Sequence, residues 1–238
     1  MSFLYHTFFF DPLYNVLMLL FRVLPWADAG VMVIILTILV RLATFPLSRK
    51  AVLAQVKMAE IAPALAKIKE QYKDKAEEQA KLTLALYREK GVNPFSGILV
   101  IIIQIPIIFA LYQIFLHFPV VNSDLLYSFV AVPSNINTTF LGVLDITAKS
   151  AVIAVLAAVS TFFQFKFSMQ GQVQPKGDSF GNNLTRSMQT QMKYFFPVIV
   201  FFISYKISGV IALYWLTTNL FSIGQELLIK KNIKTTQV

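Results

Sequence analysis

Five runs of apolar residues divide the chain, and charged and turn-forming residues collect between them. The first, Ala29 to Leu47, is interrupted by a single charge, Arg41. Phe95 to Phe118 and Ala148 to Phe167 follow, near the ~20 residues an α-helix needs to cross a bilayer. Lys149 and Lys166 flank the third run, where long cationic side chains snorkel toward the interfaces. Tyr194 to Tyr205 is shorter, a length typical of a re-entrant segment, and reads as a span if its helix starts earlier and the bilayer thins around it. Ile207 to Ile229 is the last, with Lys206 to Gly209 as a tight turn that makes the final two runs a hairpin. The pattern predicts an all-α polytopic membrane protein, a bundle of five transmembrane helices.

The stretches between the runs predict the remaining elements. Residues 1–28 carry Tyr5, Phe8, Phe9 and Phe10, then Asp11-Pro12, an apolar run from Leu13 to Leu24 containing Arg22, and Pro25-Trp26. Proline and charge hold this run below spanning length, and its aromatics suit an amphipathic helix in the outer interface. No Lys or Arg precedes it and no small-residue cleavage pattern follows, so a signal peptide is not expected. Residues 48–94 are rich in Ala, Lys, Glu, Gln and Leu, and Tyr72-Lys73-Asp74-Lys75 divides them into the two halves of a cytoplasmic helical hairpin. Gly91 and Asn93-Pro94 stop its second helix. Such a hairpin is either a solvated connector or a docking surface for substrate or partners. Residues 119–147 form an external loop. Within the cytoplasmic loop 168–193, the polar stretch Gly171 to Ser179 predicts mobility, and a basic cytoplasmic tail, residues 230–238, follows the fifth run.

Composition narrows the class. Of 238 residues 56% are hydrophobic and 14% charged, and the 22 Phe outnumber the 12 carboxylates. A soluble domain of this size cannot bury so much apolar surface, and disordered, collagenous and disulfide-stapled classes are excluded. Without cysteine there is no disulfide, thiolate chemistry or lipid-modified Cys. The 21 Lys and Arg leave a net charge of +9, which fits either a nucleic-acid surface or membrane topology. Position decides between them. Ten basic residues lie in 48–94, three in 168–193 and three after Ile229, whereas the opposite side holds Arg22, Lys149 and Lys206. Short basic loops stay in the cytoplasm, so five crossings with an external N-terminus and a cytoplasmic C-terminus are expected. No nucleic acid is expected as a partner beyond ribosome contact.

Arg41 is the most informative residue, because an arginine inside a span costs about 2.5 to 3.5 kcal/mol even on the most lenient scale. The Arg49 position lies roughly 12 Å further along a straight helix, so snorkelling only partly reaches the cytoplasmic interface. Thr37, Thr44 and Ser48 share the face of Arg41 at helical spacing. Matching polar residues occur at Ser160, Gln164 and Ser168 on the third run, Trp215, Thr218 and Ser222 on the fifth, and Gln104 on the second. Polar faces in lipid meet one another or water, so these predict a hydrated cavity that opens inward. Each Ser, Thr and Gln taken singly suits interhelical hydrogen bonding as well, and the competing reading of Arg41 is a structural charge held by backbone carbonyls. No Asp or Glu is expected in a span interior, so Arg41 should lack a counter-charge there and attract acidic groups of a ligand. At an effective dielectric of about 20, a carboxylate ~4 Å away gains on the order of 4 kcal/mol before desolvation.

Enzyme signatures are missing from the sequence: there is no phosphate-binding Gly-rich loop, HExxH motif or Gly-x-Ser-x-Gly elbow. His6 and His117 both fall on the outer side. No metal or cofactor is expected, and the lack of a midplane carboxylate disfavours an ion-coupled carrier.

Three blocks of residues carry a family resemblance. Arg41-Leu42-Ala43-Thr44-Phe45-Pro46-Leu47-Ser48 leads into the hairpin with Ala62-Pro63 and Gln71-Tyr72-Lys73-Asp74, and Gln104-Ile105-Pro106-Ile107 precedes Ala110-Leu111-Tyr112. The most specific block, Met192 to Gln225, contains Phe196-Pro197, Ser208-Gly209, Leu213-Tyr214-Trp215 and Asn219-Leu220-Phe221-Ser222-Ile223. In order and spacing these resemble the YidC insertases, which group with the mitochondrial and chloroplast inner-membrane insertases, over about residues 11 to 231. The likeness is to a short form, without the extra N-terminal span and large periplasmic domain of the Gram-negative pattern.

The resemblance implies a membrane protein insertase and chaperone, not an enzyme, in the bacterial cytoplasmic membrane. Its positively charged groove would be open to the cytoplasm, closed to the outside, and would receive hydrophobic segments of newly made membrane proteins. Membrane lipids, the Sec translocon and the ribosome are the further partners implied. Arg41 matches the family's groove arginine, Gln164 its groove glutamine and Trp215 its groove tryptophan, with Tyr214 beside it. Thr37, Thr44, Gln104, Ser160, Thr218 and Ser222 complete the expected groove. A small-solute or lipid transporter using the same cavity, and an assembly chaperone without insertase activity, are the competing functions.

Overall fold

The computed structural model describes residues 2–93, 96–169 and 186–236. Pro94, Phe95, the predicted loop Gly171 to Ser179 and the last two residues of the predicted tail lie outside the described residues. A short helix Ser2–Tyr5 and a π turn His6–Phe10 lead into α1, Asp11–Val23. There follow α2 (Ala29–Ala43), α3 (Phe45–Gln71), α4 (Ala76–Glu89) and α5 (Ser96–His117). A two-stranded antiparallel ribbon, β1 (Thr139–Phe140) with β2 (Leu144–Asp145), precedes α6 (Ala151–Ser168), α7 (Phe196–Ile207) and α8 (Gly209–Thr236).

Prolines explain two departures from the expected helices. The expected break at Asp11-Pro12 does not occur. Pro12 offers no N–H to the carbonyl four residues back, and the preceding turn widens so that the Asp11 N–H reaches the His6 carbonyl instead. Ahead of Pro197 the same device recurs: residues 186–190 pass through a π turn at Gln191–Phe195 into α7, and the Phe196 N–H reaches the Gln191 carbonyl. The fourth helix is therefore continuous from residue 186 to Ile207, far longer than its apolar run.

Pro46 acts differently. The first run does not form one straight helix to Leu47; α2 ends at Ala43 and α3 sets off at 61° to it. Pro46, in the first turn of α3, cannot donate to the Leu42 carbonyl, and the Thr44 hydroxyl bonds back to the Val40 carbonyl at 2.9 Å, which loosens the junction. Ser48 thus belongs to the next helix, beyond the bend, and does not share a straight face with Arg41.

Below the bend α3 and α4 lie against each other, and Gln55 of α3 donates to the Ser168 carbonyl at the end of α6 (2.7 Å). The buried core sits toward the other end of the bundle, where Leu17 and Met18 of α1 meet Met32, Leu36, Leu111, Ile146, Val200 and Val210. Asn15 holds α1 to the 119–147 loop by donating to the Leu125 carbonyl and accepting from the Tyr127 N–H. Asp28 caps α2 through the Val31 N–H and accepts from Leu141 in the β-turn. The ribbon was not foreseen; its turn uses Leu141 and Gly142, both at positive φ (52° and 70°). Helix α8 starts against this loop, its Gly209 and Val210 N–H groups bonding to the Ala148 and Ile146 carbonyls (2.9 and 2.8 Å). A Cβ on Gly209 would meet the Ile146 carbonyl oxygen at 3.0 Å, so glycine permits this close approach. Between α7 and α8 only Ser208 is non-helical, a tighter turn than Lys206 to Gly209.

Among the described residues, α6 alone is long and apolar enough to cross a membrane unaided, and α2 with α3 passes as a bent pair. The lower hydropathy of α8 has a plain source: Thr217, Thr218, Asn219, Ser222, Gln225 and Glu226 interrupt its apolar residues.

Candidate functional site

Arg41 occupies the last turn of α2, where the negative end of the helix dipole favours a cation. Its guanidinium faces the hydroxyl of Tyr214, buried on α8, within electrostatic range. Gln104 of α5 donates from Nε2 to the same hydroxyl at 3.3 Å, and Thr218, one turn along α8, also faces it. Three helices thereby bring Arg41, Gln104, Tyr214 and Thr218 into one polar chamber. Among the described residues no carboxylate lies within ion-pair distance of Arg41. Trp215 is half-buried beside Tyr214.

The other expected groove residues divide by what their side chains bond. Thr37 donates to the Val33 carbonyl (2.6 Å), Thr44 to Val40 and Ser222 to Thr218 (2.8 Å), so each hydroxyl is satisfied within its own helix segment. Ser160 is buried in the seam between α6 and α8, away from Arg41's partners. There Asn219 Nδ2 lies 3.0 Å from Ser160 Oγ, 2.7 Å from Thr161 Oγ1 and 3.4 Å from the Ala157 carbonyl. Gln164 is half-buried one turn beyond Ser160 and makes no hydrogen bond to the Arg41 group. Asn219 was not among the expected site residues, although its place one residue from Thr218 and four from Trp215 marks it as facing another helix.

One expectation about the spans is overturned. Glu226 lies inside the fifth run and is buried, so that run does contain a carboxylate. It does not reach Arg41; its Oε1 pairs with Lys230 Nζ at 2.7 Å, one turn on, and Lys230 also donates to the Phe167 carbonyl at 3.1 Å. With Gln55 on the Ser168 carbonyl, the last carbonyls of α6 are capped from α3 and α8.

Against the polar chamber lies an apolar cleft of about 310 Å³ between α5, α7 and α8. Phe109 and Tyr112 line it from α5, Ile203 and Ile207 from α7, and Ile211, Tyr214 and Trp215 from the end of the last two helices. Phe109 and Ile203 are substantially exposed at the surface, so the cleft communicates with whatever surrounds the bundle.

The model of the 60Kd inner membrane protein family matches residues 19–236, nearly the whole chain. The chain belongs to this family, that of the YidC proteins. It is 28% identical over 207 residues to "Membrane protein insertase YidC" of Clostridium tetani, a match covering 87% of this chain and 84% of that one. "Membrane protein insertase YidC 2" of Listeria innocua is 32% identical, over 85% of this chain and 64% of its own. The YidC of Wolinella succinogenes is 28% identical over 96% of this chain but only 38% of its own length, so the chain spans well under half of some relatives it matches. Within the YidC match fall α2 to α8, and with them both the polar chamber and the cleft.

Proposed function

We propose that this chain inserts newly made membrane proteins into the bacterial cytoplasmic membrane, as its relatives are named for doing. The observation that carries the reading is a partly buried arginine, without a carboxylate partner, facing a tyrosine whose ring borders an apolar cleft. A short hydrophilic stretch of a nascent chain enters the chamber from the cytoplasm, its acidic groups stabilised by Arg41. The adjoining hydrophobic segment follows the cleft into lipid. Burial of roughly 20 apolar residues in the bilayer drives the process, and no nucleotide or cofactor takes part.

In this reading five helices cross the membrane, α2, α5, α6, α7 with its lead-in, and α8. The N-terminus and the β-ribbon loop face outward. The α3–α4 pair and the end of α8 face the cytoplasm, where the excess of basic residues holds them. Expected partners are nascent hydrophobic segments and lipids, with ribosome and Sec translocon on the side of α3 and α4.

Purified protein in liposomes tests the proposal. A short single-span client with an acidic external tail inserts only in its presence, and Arg41→Ala lowers that yield while Arg41→Lys lowers it less. Solute flux without insertion would instead support a transporter, and binding confined to already inserted clients a chaperone. Full insertion of acidic-tailed clients by Arg41→Ala removes Arg41 from the mechanism.

A further inference from the structure

We propose that Gln104 and Tyr214 form a latch between the polar chamber and the apolar cleft, which opens when a hydrophobic segment leaves sideways between α5 and α7. The inference rests on the insertase reading given above. Tyr214 belongs to both compartments. Its hydroxyl accepts from Gln104 Nε2 at 3.3 Å and faces Thr218 and Arg41, while its ring joins Phe109, Tyr112, Ile211 and Trp215 in lining the cleft. Gln104 lies one helical turn before Ile108, the first cleft-lining residue of α5, so the bond sits at the cleft's edge where chamber and cleft meet.

The two sides of α8 are fastened very differently. Toward α6 it is held by the Asn219 amide and by the Lys230 ammonium on the Phe167 carbonyl. Toward α5 it offers Tyr214 to one neutral donor at a long distance. A neutral bond of this kind shifts an open–closed equilibrium by about fivefold, enough to bias a sideways opening and weak enough for an entering segment to overcome. Phenylalanine at 214 would keep the cleft wall and lose the latch, which separates the hydroxyl's role from that of the ring.

The chain has no cysteine, so single cysteines report position without background. A stalled nascent chain with one cysteine in its hydrophobic segment is oxidised against Phe109→Cys in the cleft or Ser222→Cys on the chamber side of α8. Tyr214→Phe and Gln104→Met each raise the cleft-to-chamber crosslink ratio about fivefold, and the double variant goes no further because both remove one bond. An unchanged ratio in Tyr214→Phe overturns the latch, as does a parallel fall of both crosslinks or an additive double variant. Should Gln104→Met fail to fold, the ratio in Tyr214→Phe decides alone. If the unsubstituted protein inserts no client, the insertase reading falls and takes the latch with it; insertion with an unmoved ratio removes the latch only.

Discussion

The seam between α6 and α8 and the seam between α5 and α8 are built from opposite materials. In the first, Asn219 reaches three acceptors on α6, and lower down the Glu226–Lys230 pair caps its final carbonyls. In the second, apolar side chains leave a cleft, and one amide–phenol bond crosses it. Polar residues in a hydrophobic chain thus have two uses. They fix neighbouring helices where every donor finds an acceptor, and they create a site where a charge such as Arg41 is left facing another helix without a counter-ion.

The contrast can be broken most forcefully at Lys230. Lys230→Met strands the buried Glu226 carboxylate and uncaps the Phe167 carbonyl, so thermal unfolding in detergent should register a loss of about 3 kcal/mol, largely recovered by adding Glu226→Gln. Equal melting of the single and double variants would deny that the pair fastens the α6 seam. Arg41→Ala should act the other way round, leaving the melting temperature nearly unchanged while insertion of acidic-tailed clients falls roughly thirtyfold, the equivalent of one charged hydrogen bond of about 2 kcal/mol. A large drop in melting temperature would make Arg41 a structural charge.

Smaller effects refine the picture. Asn219→Leu should destabilise by about 1 kcal/mol, because Ser160 and Thr161 keep their bonds to the Ala157 carbonyl and only the cross-helix amide is lost. An effect as large as that of Lys230→Met would mean that the mid-helix amide, not the terminal ion pair, governs the seam.

The outer β-ribbon supplies the smallest effect and a control remote from both seams. Bonds from the Thr147 hydroxyl and then its N–H hold the Asp145 carboxyl below the usual aspartate range. A depressed carboxylate contributes stability above its unfolded pKa near 3.9, and that contribution disappears as pH falls through the lower folded value. Thr147→Val should move this loss to slightly higher pH, by a few tenths of a kcal/mol at most because Asp145 is exposed, as NMR titration of the carboxyl would report.

Much of this molecule was legible in its residues. The apolar runs foretold the helices, and the spacing of Tyr214 and Thr218 foretold that they share a face of α8. What escaped was local chemistry whose result depends on partners. Pro12 and Pro197 read as breaks, yet each is absorbed by a π turn, whereas Pro46 combines with the back-bonded Thr44 hydroxyl to bend the chain by 61°. Glu226 escaped because a single acid near the end of an apolar run does not disturb the run, and its cation, Lys230, looked like part of a tail. Ser160 and Thr218 are alike in sequence and differ in use, since Ser160 meets Asn219 and Thr218 faces Tyr214.

By itself the sequence determined the class of the protein, its family and the presence of an arginine among apolar residues, because hydrophobic periodicity and charge placement are local properties of the chain. Which polar groups pair with each other was decided only by the tertiary structure. A hydrogen bond or ion pair requires atoms within about 3 Å, and residues some 60 to 170 positions apart, as in Asn219 with Ser160 or Tyr214 with Arg41, come within range only when the helices have packed.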